Sequence, residues 1–454
     1  MYLLVSYIPV AGVVSLSLQP SQLPLLFKDI LFVIPSYIGF TLALATQPSQ
    51  RVALRVPIPV LVVLASLAGL AMVHALNPQV QSWLVAAIGL KVWLFYLPLL
   101  VLAGALIDSL EDLLRVLRLM VALSWIPCLV GLSEFVGSSA FGYETTMRAI
   151  YGEAASGATQ RFQSFEFGAQ LVRIPSTFTY WIQYGSYTLS MIVPAYALWR
   201  IDTNPRWQRV AGISLGLLVV AAFLSGAKVN LLFVPLLILM IYVLEGRVAG
   251  VVGVLAVLAV LFVATLSLSG IDLEALVQMM GRLLKRYLVE LVIEGFRQSL
   301  SEAPLGLGTG MNTGPARYAF TDATTFRPFE NYYAKSVYEL GIPGLVLIVL
   351  VFGSLATCGW QIHRRLGRSR LRGCSAAFLA FVVVMALNSL KGWQMDVDPI
   401  NVYFWLFAGV LLKLPALVWQ EPSSPATLAP VSSAAAPASM LARSQRGLDR
   451  DDTR

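Results

Sequence analysis

Long apolar stretches constrain this chain more than any other feature of its sequence. Residues 56–76 and 248–269 are two examples that carry almost no charge. A helix of about 20 such residues spans a hydrocarbon core of about 30 Å. Charged residues make up 12% of the chain, against about 25% in soluble domains, which is too few to coat a soluble globule. The sequence therefore predicts an integral membrane protein.

Apolar runs separated by polar or Pro/Gly-rich joints predict an all-α, polytopic chain with about twelve transmembrane helices. The basic joints alternate with non-basic ones, and Lys and Arg are retained on the cytoplasmic side of a membrane. This pattern places both termini in the cytoplasm and keeps the N-terminal segment as a first span. The predicted helices cover residues 2–18, 27–44, 56–76, 81–107, 115–137, 176–199, 207–226, 229–244, 248–269, 336–360, 373–390 and 399–417.

The same alternation places two long loops outside the cytoplasm. They are residues 138–175 and residues 270–335, the second lying between the ninth and tenth predicted helices. The short joints at 19–26, 77–80, 225–228 and 391–398 fall on the same side. Residues 1–418 are expected to form a single transmembrane domain. Residues 419–454 are rich in Ala, Ser and Pro without an apolar period, which predicts a disordered cytoplasmic tail.

Several classes of binding site are disfavoured by the sequence. The net charge of +8 resides in short loops, where cations act as topology signals, so no nucleic-acid partner is expected. Cys128, Cys358 and Cys374 have no metal-ligand spacing and form no disulfide framework. The glycines at 306–310 follow no predicted strand and lack the full nucleotide fingerprint, so they predict a tight turn. Neither a metal nor a cofactor is expected.

The loop 270–335 is basic although cations are disfavoured on that face of a membrane. Two readings remain open for Arg282, Lys285 and Arg286. Guanidinium groups bind phosphate oxygens in a bidentate manner, which suits a pyrophosphate ligand. Alternatively, the three residues form the basic face of an interfacial amphipathic helix that lies on anionic membrane lipid.

Four carboxylates near the predicted outer face have contrasting interpretations. Glu330 precedes the predicted tenth helix, where it could act as a general base or as a charge favoured by the helix dipole. Glu339 is expected to be a buried structural partner of an arginine. Asp396 and Asp398 could suggest a metal pair, but solvated loop acids are the preferred interpretation.

Four segments, in order, resemble patterns of the O-antigen polymerase and ligase superfamily of bacterial surface-polysaccharide assembly. Residues 173–178 (RIPSTF) resemble R-x-x-G-T-F, with Ser176 in place of Gly. Residues 225–228 (SGAK) resemble S-G-S-R, with Lys228 in place of Arg. Residues 296–310 resemble a helix followed by a proline and spaced glycines, which are Gly306, Gly308 and Gly310 here.

The most specific similarity is in residues 330–344. They resemble H-N-x-Y-L-x-x-x-x-E-x-G-x-x-G, with Glu330 in the position of His. Ligases of the superfamily carry His there, so the departure favours a polymerase-like member. The residues that keep the pattern are Asn331, Glu339, Gly341 and Gly344.

The resemblance implies a membrane glycosyltransferase of the GT-C type that takes a glycan from undecaprenyl pyrophosphate and joins it to an acceptor sugar. The transfer would be inverting, independent of metal, and located at the outer face of the bacterial inner membrane. Glu330 would take the acceptor proton, and Arg173 would act in catalysis. Pyrophosphate binding would fall to Arg173, Lys228, Arg282, Arg286 and Arg297.

A polymerase that joins repeat units is the preferred function, with a chain-length regulator left open as a partner. One alternative is a ligase that moves the glycan onto a lipid or protein acceptor. Another is a transporter of lipid-linked oligosaccharide, which would carry charges within its helices and bind substrate at the midplane. Lys91 is the clearest such charge in the sequence.

Overall fold

The computed structural model of the chain is predominantly helical. Eight helices within the described residues are long and apolar enough to cross a membrane, so the chain has the architecture of a polytopic membrane protein. The count of twelve spans and the GT-C fold remain predictions. The structure describes residues 2–18, 23–46, 56–153, 164–166, 169–171, 173–247, 249–254, 256, 278, 281–282, 285–320, 329–367 and 369–418.

Thirteen helices can be followed through these residues, together with a two-stranded antiparallel hairpin of β1 (Ser164–Glu166) and β2 (Ala169–Leu171). A π-helical segment, Lys285–Glu294, leads into α10. The helices are α1 Tyr2–Ser17, α2 Asp29–Thr46, α3 Ile58–Ala75, α4 Trp83–Leu106, α5 Leu110–Phe141, α6 Tyr143–Tyr151, α7 Trp181–Ile201, α8 Pro205–Leu224, α9 Asn230–Glu245, α10 Gly295–Glu302, α11 Tyr332–Leu366, α12 Leu371–Asn388 and α13 Ile400–Val418.

A helix lies in every predicted segment; of residues 248–269 the structure describes only 249–254 and 256, and these are helical. α5 is longer than the predicted 115–137. Ser109 and Asp112 form a capping box that starts the helix early, because each satisfies the other's free backbone amide. The helix ends at Gly142, whose φ of 87° lies outside the helical region.

Burial separates central helices from peripheral ones. In α12 and α13 the apolar window is 78% and 83% buried, whereas in α2 and α3 it is 11% and 17% buried. The peripheral helices therefore present apolar surface outward, as lipid-facing helices do. α7 is almost completely buried from Tyr184 to Leu198. It carries Ser186, Thr188 and Ser190 among its buried residues, as is typical of helices that pack on other helices within a membrane.

Segments predicted to share the outer face contact one another. Asn77 Nδ2 donates to the carbonyl of Gly306 at 3.2 Å, and Lys335 pairs with Asp396. We call the contacting segments the loop cluster; they are residues 77–82, 173–178, 225–230, 303–319, 329–335 and 391–398. All of them belong to one compact unit, Met1–Gln420. The predicted disordered tail, 419–454, lies outside the described residues.

Candidate functional site

The glycine loop, residues 304–314, is non-helical backbone packed against α4. Gly310 has a φ of 97°, and a Cβ there would lie 2.2 Å from the carbonyl oxygen of Val85. Gly89 faces it from α4, where a Cβ would lie 2.4 Å from the Gly310 nitrogen. The two backbones can approach this closely only because neither residue has a side chain.

The glycine loop also enters a kink in α11. Gly341 has a non-helical conformation with a φ of 73°, which leaves helix carbonyls without their usual donors. The loop supplies those donors, since Leu307 N donates to the Tyr338 carbonyl at 2.8 Å and Gly308 N to the Glu339 carbonyl at 3.0 Å. The kink and the loop therefore complete each other's backbone hydrogen bonds.

Glu339 fixes the far side of the glycine loop. Its fully buried carboxylate accepts hydrogen bonds from Trp93 Nε1 at 2.6 Å and Thr313 Oγ1 at 3.0 Å. It also accepts from two loop amides, Gly310 N at 3.0 Å and Asn312 N at 2.8 Å. The prediction that Glu339 pairs with an arginine is wrong. Four convergent neutral donors occupy the lone pairs of the carboxylate instead.

Lys335 lies one helical turn before Glu339 and is fully buried with Asp396. Their side chains are 0% and 2% exposed and form an ion pair, and Lys335 Nζ lies 4.8 Å from the centroid of the Trp93 ring. Burial raises the pKa of the Asp396 carboxyl, against the opposing effect of the Lys335 ammonium. The predicted solvated acid at Asp396 is wrong, because residues 391–398 fold onto the start of α11.

Asp398 was also predicted to be a solvated loop acid. It belongs instead to a second charged cluster. Lys28 Nζ lies 3.0 Å from Asp398 Oδ1 and 3.0 Å from Asp29 Oδ1. Lys91 Nζ lies 2.6 Å from the other oxygen of Asp29, and Tyr96 donates to Asp29 at 2.8 Å. Two cations and two anions therefore neutralise each other. The sequence signal for this cluster was Lys91, since a charge within a membrane helix implies a nearby partner.

Arg173 and Lys228 come from two segments in direct contact. Ile174 N donates to the carbonyl of Ser225 at 3.3 Å, which joins the segment 173–178 to the turn 225–228. The Arg173 guanidinium lies 4.4 Å from the centroid of the Trp181 ring. Both cationic side chains are half-buried, so each lies at the boundary between the helices and their surroundings.

Ser176 holds the segment 173–178 in place. It has a left-handed φ of 53°, at the position where the similar family pattern has glycine. Its amide donates to Glu134 Oε2 at 2.8 Å, and its hydroxyl donates to the carbonyl of Pro127 at 2.6 Å. The next residue, Thr177, donates to the carbonyl of Pro9. The segment is thus fixed between α1 and α5, and Glu134 is a site residue that sequence reasoning missed.

Glu330 is exposed and stands immediately before the N-terminal cap of α11. The cap is the buried Asn331, whose Oδ1 accepts from Tyr333 N at 3.0 Å and Ala334 N at 3.2 Å. This capping satisfies amides that the first helical turn leaves free. Glu330 is therefore attached to a rigid helix start while its own side chain remains accessible.

The predicted loop cations occupy different environments. Arg297 is exposed on α10, which packs on the segment of Glu330 through Gly295; a Cβ at Gly295 would lie 3.7 Å from the Ala334 Cβ. Arg282 is also exposed, and the side chain of Arg286 falls outside the described residues. The structure thus brings the segments of Arg173 and Lys228 into contact. It also packs the helix of Arg297 against the segment of Glu330.

No group of three or more His, Cys, Asp or Glu side chains in the described part of the chain could hold a metal ion. The described polar groups of the loop cluster are amides, hydroxyls, carboxylates and cationic side chains. No protein-family model matches this chain, and no curated protein matches it.

Proposed function

We propose that the chain is a glycan polymerase that uses a polyprenyl-pyrophosphate donor at the outer face of the bacterial cytoplasmic membrane. One observation carries the proposal: each of the four segments that resemble the O-antigen polymerase and ligase superfamily contributes residues to the loop cluster. Residues 173–178 contact 225–228, and residues 304–310 contact 338–342. Residues 391–398 contact both α7, the helix that follows 173–178, and the start of α11, because Ser186 of α7 donates to Gln394 at 3.0 Å and Lys335 of α11 pairs with Asp396.

Glycosyl transfer requires two contributions from the protein, which are neutralisation of the leaving group and removal of a proton. The acceptor hydroxyl oxygen bonds to the anomeric carbon while the bond from that carbon to the phosphate oxygen breaks. The electron pair leaves on the pyrophosphate, whose charge Arg173 and Lys228 neutralise. The hydroxyl proton passes to Glu330 as general base. Arg282, Arg286 and Arg297 are further cations for the donor.

Accessibility favours Glu330 over the buried carboxylates Glu339 and Glu134 as the base. Glu339 and Glu134 are fully buried and occupied by internal hydrogen bonds, so neither can meet a sugar hydroxyl. Glu330 is exposed on a capped helix start. The cation–π contact of Arg173 with Trp181 restrains the guanidinium group, and a guanidinium group can make a bidentate contact with phosphate.

The test is turnover of undecaprenyl-pyrophosphate oligosaccharide by the purified protein in nanodiscs, followed by gel and mass spectrometry. A polymerase produces a ladder of longer glycans and releases undecaprenyl pyrophosphate. Glu330→Gln is expected to lower turnover by about 10²–10⁴-fold, the usual contribution of general-base catalysis, and Arg173→Ala is expected to abolish the ladder. Arg115→Ala is the matched control, because Arg115 is exposed and paired with Glu111 outside the loop cluster. Turnover of folded Glu330→Gln within a few-fold of the parent contradicts its assignment.

A second candidate function is transport of a lipid-linked oligosaccharide. The observation that favours it is the number of charges within helices, among them Lys91, Lys335 and Glu339. Each of these has an internal partner, which fits a structural role equally well. Movement of a labelled donor across proteoliposomes without chain growth would favour the transporter, and transfer to a non-polyprenyl acceptor would favour a ligase.

A further inference from the structure

Glu134 and Tyr151 hold Ser176 at both of its backbone polar groups. The Glu134 Oε2 atom accepts from Ser176 N at 2.8 Å. Tyr151 Oη lies 2.7 Å from the Ser176 carbonyl oxygen and 2.5 Å from Glu134 Oε1. The three residues therefore form a closed ring of contacts that joins α5, α6 and the segment 173–178.

The number of protons in this ring determines the charge of Glu134. A tyrosine hydroxyl has one proton, and an ionised carboxylate only accepts. With Glu134 ionised, Tyr151 could donate to Glu134 or to the Ser176 carbonyl but not to both, which leaves one short contact between two acceptors. With a proton on Glu134 Oε1, Glu134 donates to Tyr151, and Tyr151 donates to the Ser176 carbonyl. Each contact then contains one proton.

The surroundings of Glu134 favour the uncharged form. Its side chain is fully buried, and burial without a counter-ion disfavours a carboxylate. No cation within the described residues pairs with it. The titratable groups that act on Tyr151 besides Glu134 are Tyr143 of α6 and Tyr184 of α7, and Cys128 of α5 acts in turn on Tyr184. All three are uncharged at neutral pH.

The remaining neighbours that the structure describes supply no opposite charge. α1 contributes the carbonyl of Pro9 to the adjacent Thr177, and its Tyr7 packs on Phe32. Arg173, on the same segment as Ser176, stacks on Trp181. Burial raises the pKa of the Tyr151 hydroxyl, so Tyr151 keeps its proton and remains able to donate.

We propose that Glu134 is a neutral carboxylic acid which, together with Tyr151, clamps Ser176 and so positions Arg173 for the donor pyrophosphate. The positioning role rests on the proposed function, whereas the neutral state of Glu134 does not. Loss of the Glu134 proton directs the Tyr151 hydroxyl to the carboxylate and frees the Ser176 carbonyl. The clamp is therefore intact at low pH and opens as the pH rises, which weakens donor binding on the alkaline side.

Infrared spectroscopy tests the neutral state without any assay of activity. The difference spectrum between the wild-type protein and Glu134→Gln in nanodiscs, at a mildly acidic pH where an ordinary glutamate is ionised, is expected to contain the C=O stretch of a protonated carboxylic acid. In the wild-type protein alone, this band is expected to fade at alkaline pH, which provides the test if the variant does not fold. A carboxylate band in its place at the mildly acidic pH overturns the proposal.

The pH profile tests the positioning role. Glu134→Gln keeps the same pattern, because Nε2 can donate to Tyr151 while Oε1 accepts from Ser176 N. The variant is expected to keep KM for the donor within a few-fold of the wild type at neutral pH and to lose the alkaline rise in KM. Tyr151→Phe removes both contacts and is expected to raise KM by at least tenfold at every pH, in protein that elutes as the wild type does in size-exclusion chromatography.

The outcomes separate the two proposals. A loss of about 100-fold in Glu134→Gln shows that Glu134 acts as a carboxylate and overturns the clamp. An infrared band without donor turnover by any form of the protein contradicts the proposed function and leaves the neutral Glu134 in place. If the wild-type protein turns over the donor but its KM for the donor does not rise at alkaline pH, the positioning role is overturned.

Discussion

Buried charged side chains in and next to the loop cluster are stabilised in two ways. Lys335 has a carboxylate partner in Asp396, whereas Glu339 has only neutral donors. An ion pair removed from water is sensitive to the loss of one partner, because the other charge remains buried. A carboxylate held by amides is sensitive to any change in its acceptor geometry.

The Lys335–Asp396 pair predicts a large single-variant effect and a small double-variant effect. Lys335→Met is expected to lower the free energy of unfolding by about 3–5 kcal/mol, because Asp396 is left buried without a counter-ion. Lys335→Met combined with Asp396→Leu removes both charges and is expected to recover most of that loss. Denaturant unfolding in detergent measures both. Equal destabilisation by the single and double variants would contradict the pairing.

Glu339 and Glu330 predict opposite consequences of the same chemical change. Glu339→Gln places an amide donor against groups that themselves donate, and each lost hydrogen bond to a buried charged group costs about 1.5–3 kcal/mol. Its folded yield is expected to fall sharply. Glu330→Gln alters an exposed side chain and is expected to keep the parent yield while losing turnover. Size-exclusion chromatography and thermal unfolding compare the two, and a well-folded Glu339→Gln would disprove the role of Glu339.

At the scale of elements, the glycine loop shows which features the sequence could predict and which it could not. The glycines at 306–310 predicted a tight turn, and those three positions have positive φ. The sequence could not predict that Gly89 lies opposite Gly310, or that Glu339 binds the loop amides, because those contacts depend on how α4 and α11 pack. Contacts between residues far apart in sequence carry no local pattern, and Glu134 was missed for the same reason.

The close approach at Gly310 predicts a strong position effect for glycine substitutions. Gly310→Ala is expected to prevent correct folding, because its Cβ would overlap the Val85 carbonyl and its φ is positive. Gly69→Ala on α3 is the matched control, since nothing lies within 4 Å of a Cβ there. That change is expected to be neutral or to stabilise the protein by about 0.5–1 kcal/mol. Comparable melting temperatures for the two variants would argue against the packing.

At the scale of the whole molecule, apolar periodicity predicted the helices well because membrane spans have a strong compositional signal. It did not predict which helices are central. α2 and α12 are both apolar, yet the window is 11% buried in α2 and 78% buried in α12. Lipid and protein are similarly apolar surroundings, so composition alone does not distinguish a lipid-facing helix from a buried one.

Sidedness is a separate prediction at this scale. In a variant whose native cysteines are replaced, Cys at the exposed positions Gln79 and Arg297 is expected to react with a membrane-impermeant maleimide added outside intact cells. Cys at Arg206 and Arg365 is expected to react only after permeabilisation, because basic loops remain cytoplasmic. Labelling of Arg365→Cys in intact cells would reverse the predicted orientation.

The most direct test of the proposed function is chain growth in a sealed system. Proteoliposomes that contain the purified protein and undecaprenyl-pyrophosphate oligosaccharide as sole substrate allow glycan length and substrate movement to be measured in the same sample. We predict a ladder of longer glycans with an equivalent release of undecaprenyl pyrophosphate. Movement of the donor across the bilayer with no longer glycan formed from a matched repeat unit would contradict the polymerase and identify a transporter.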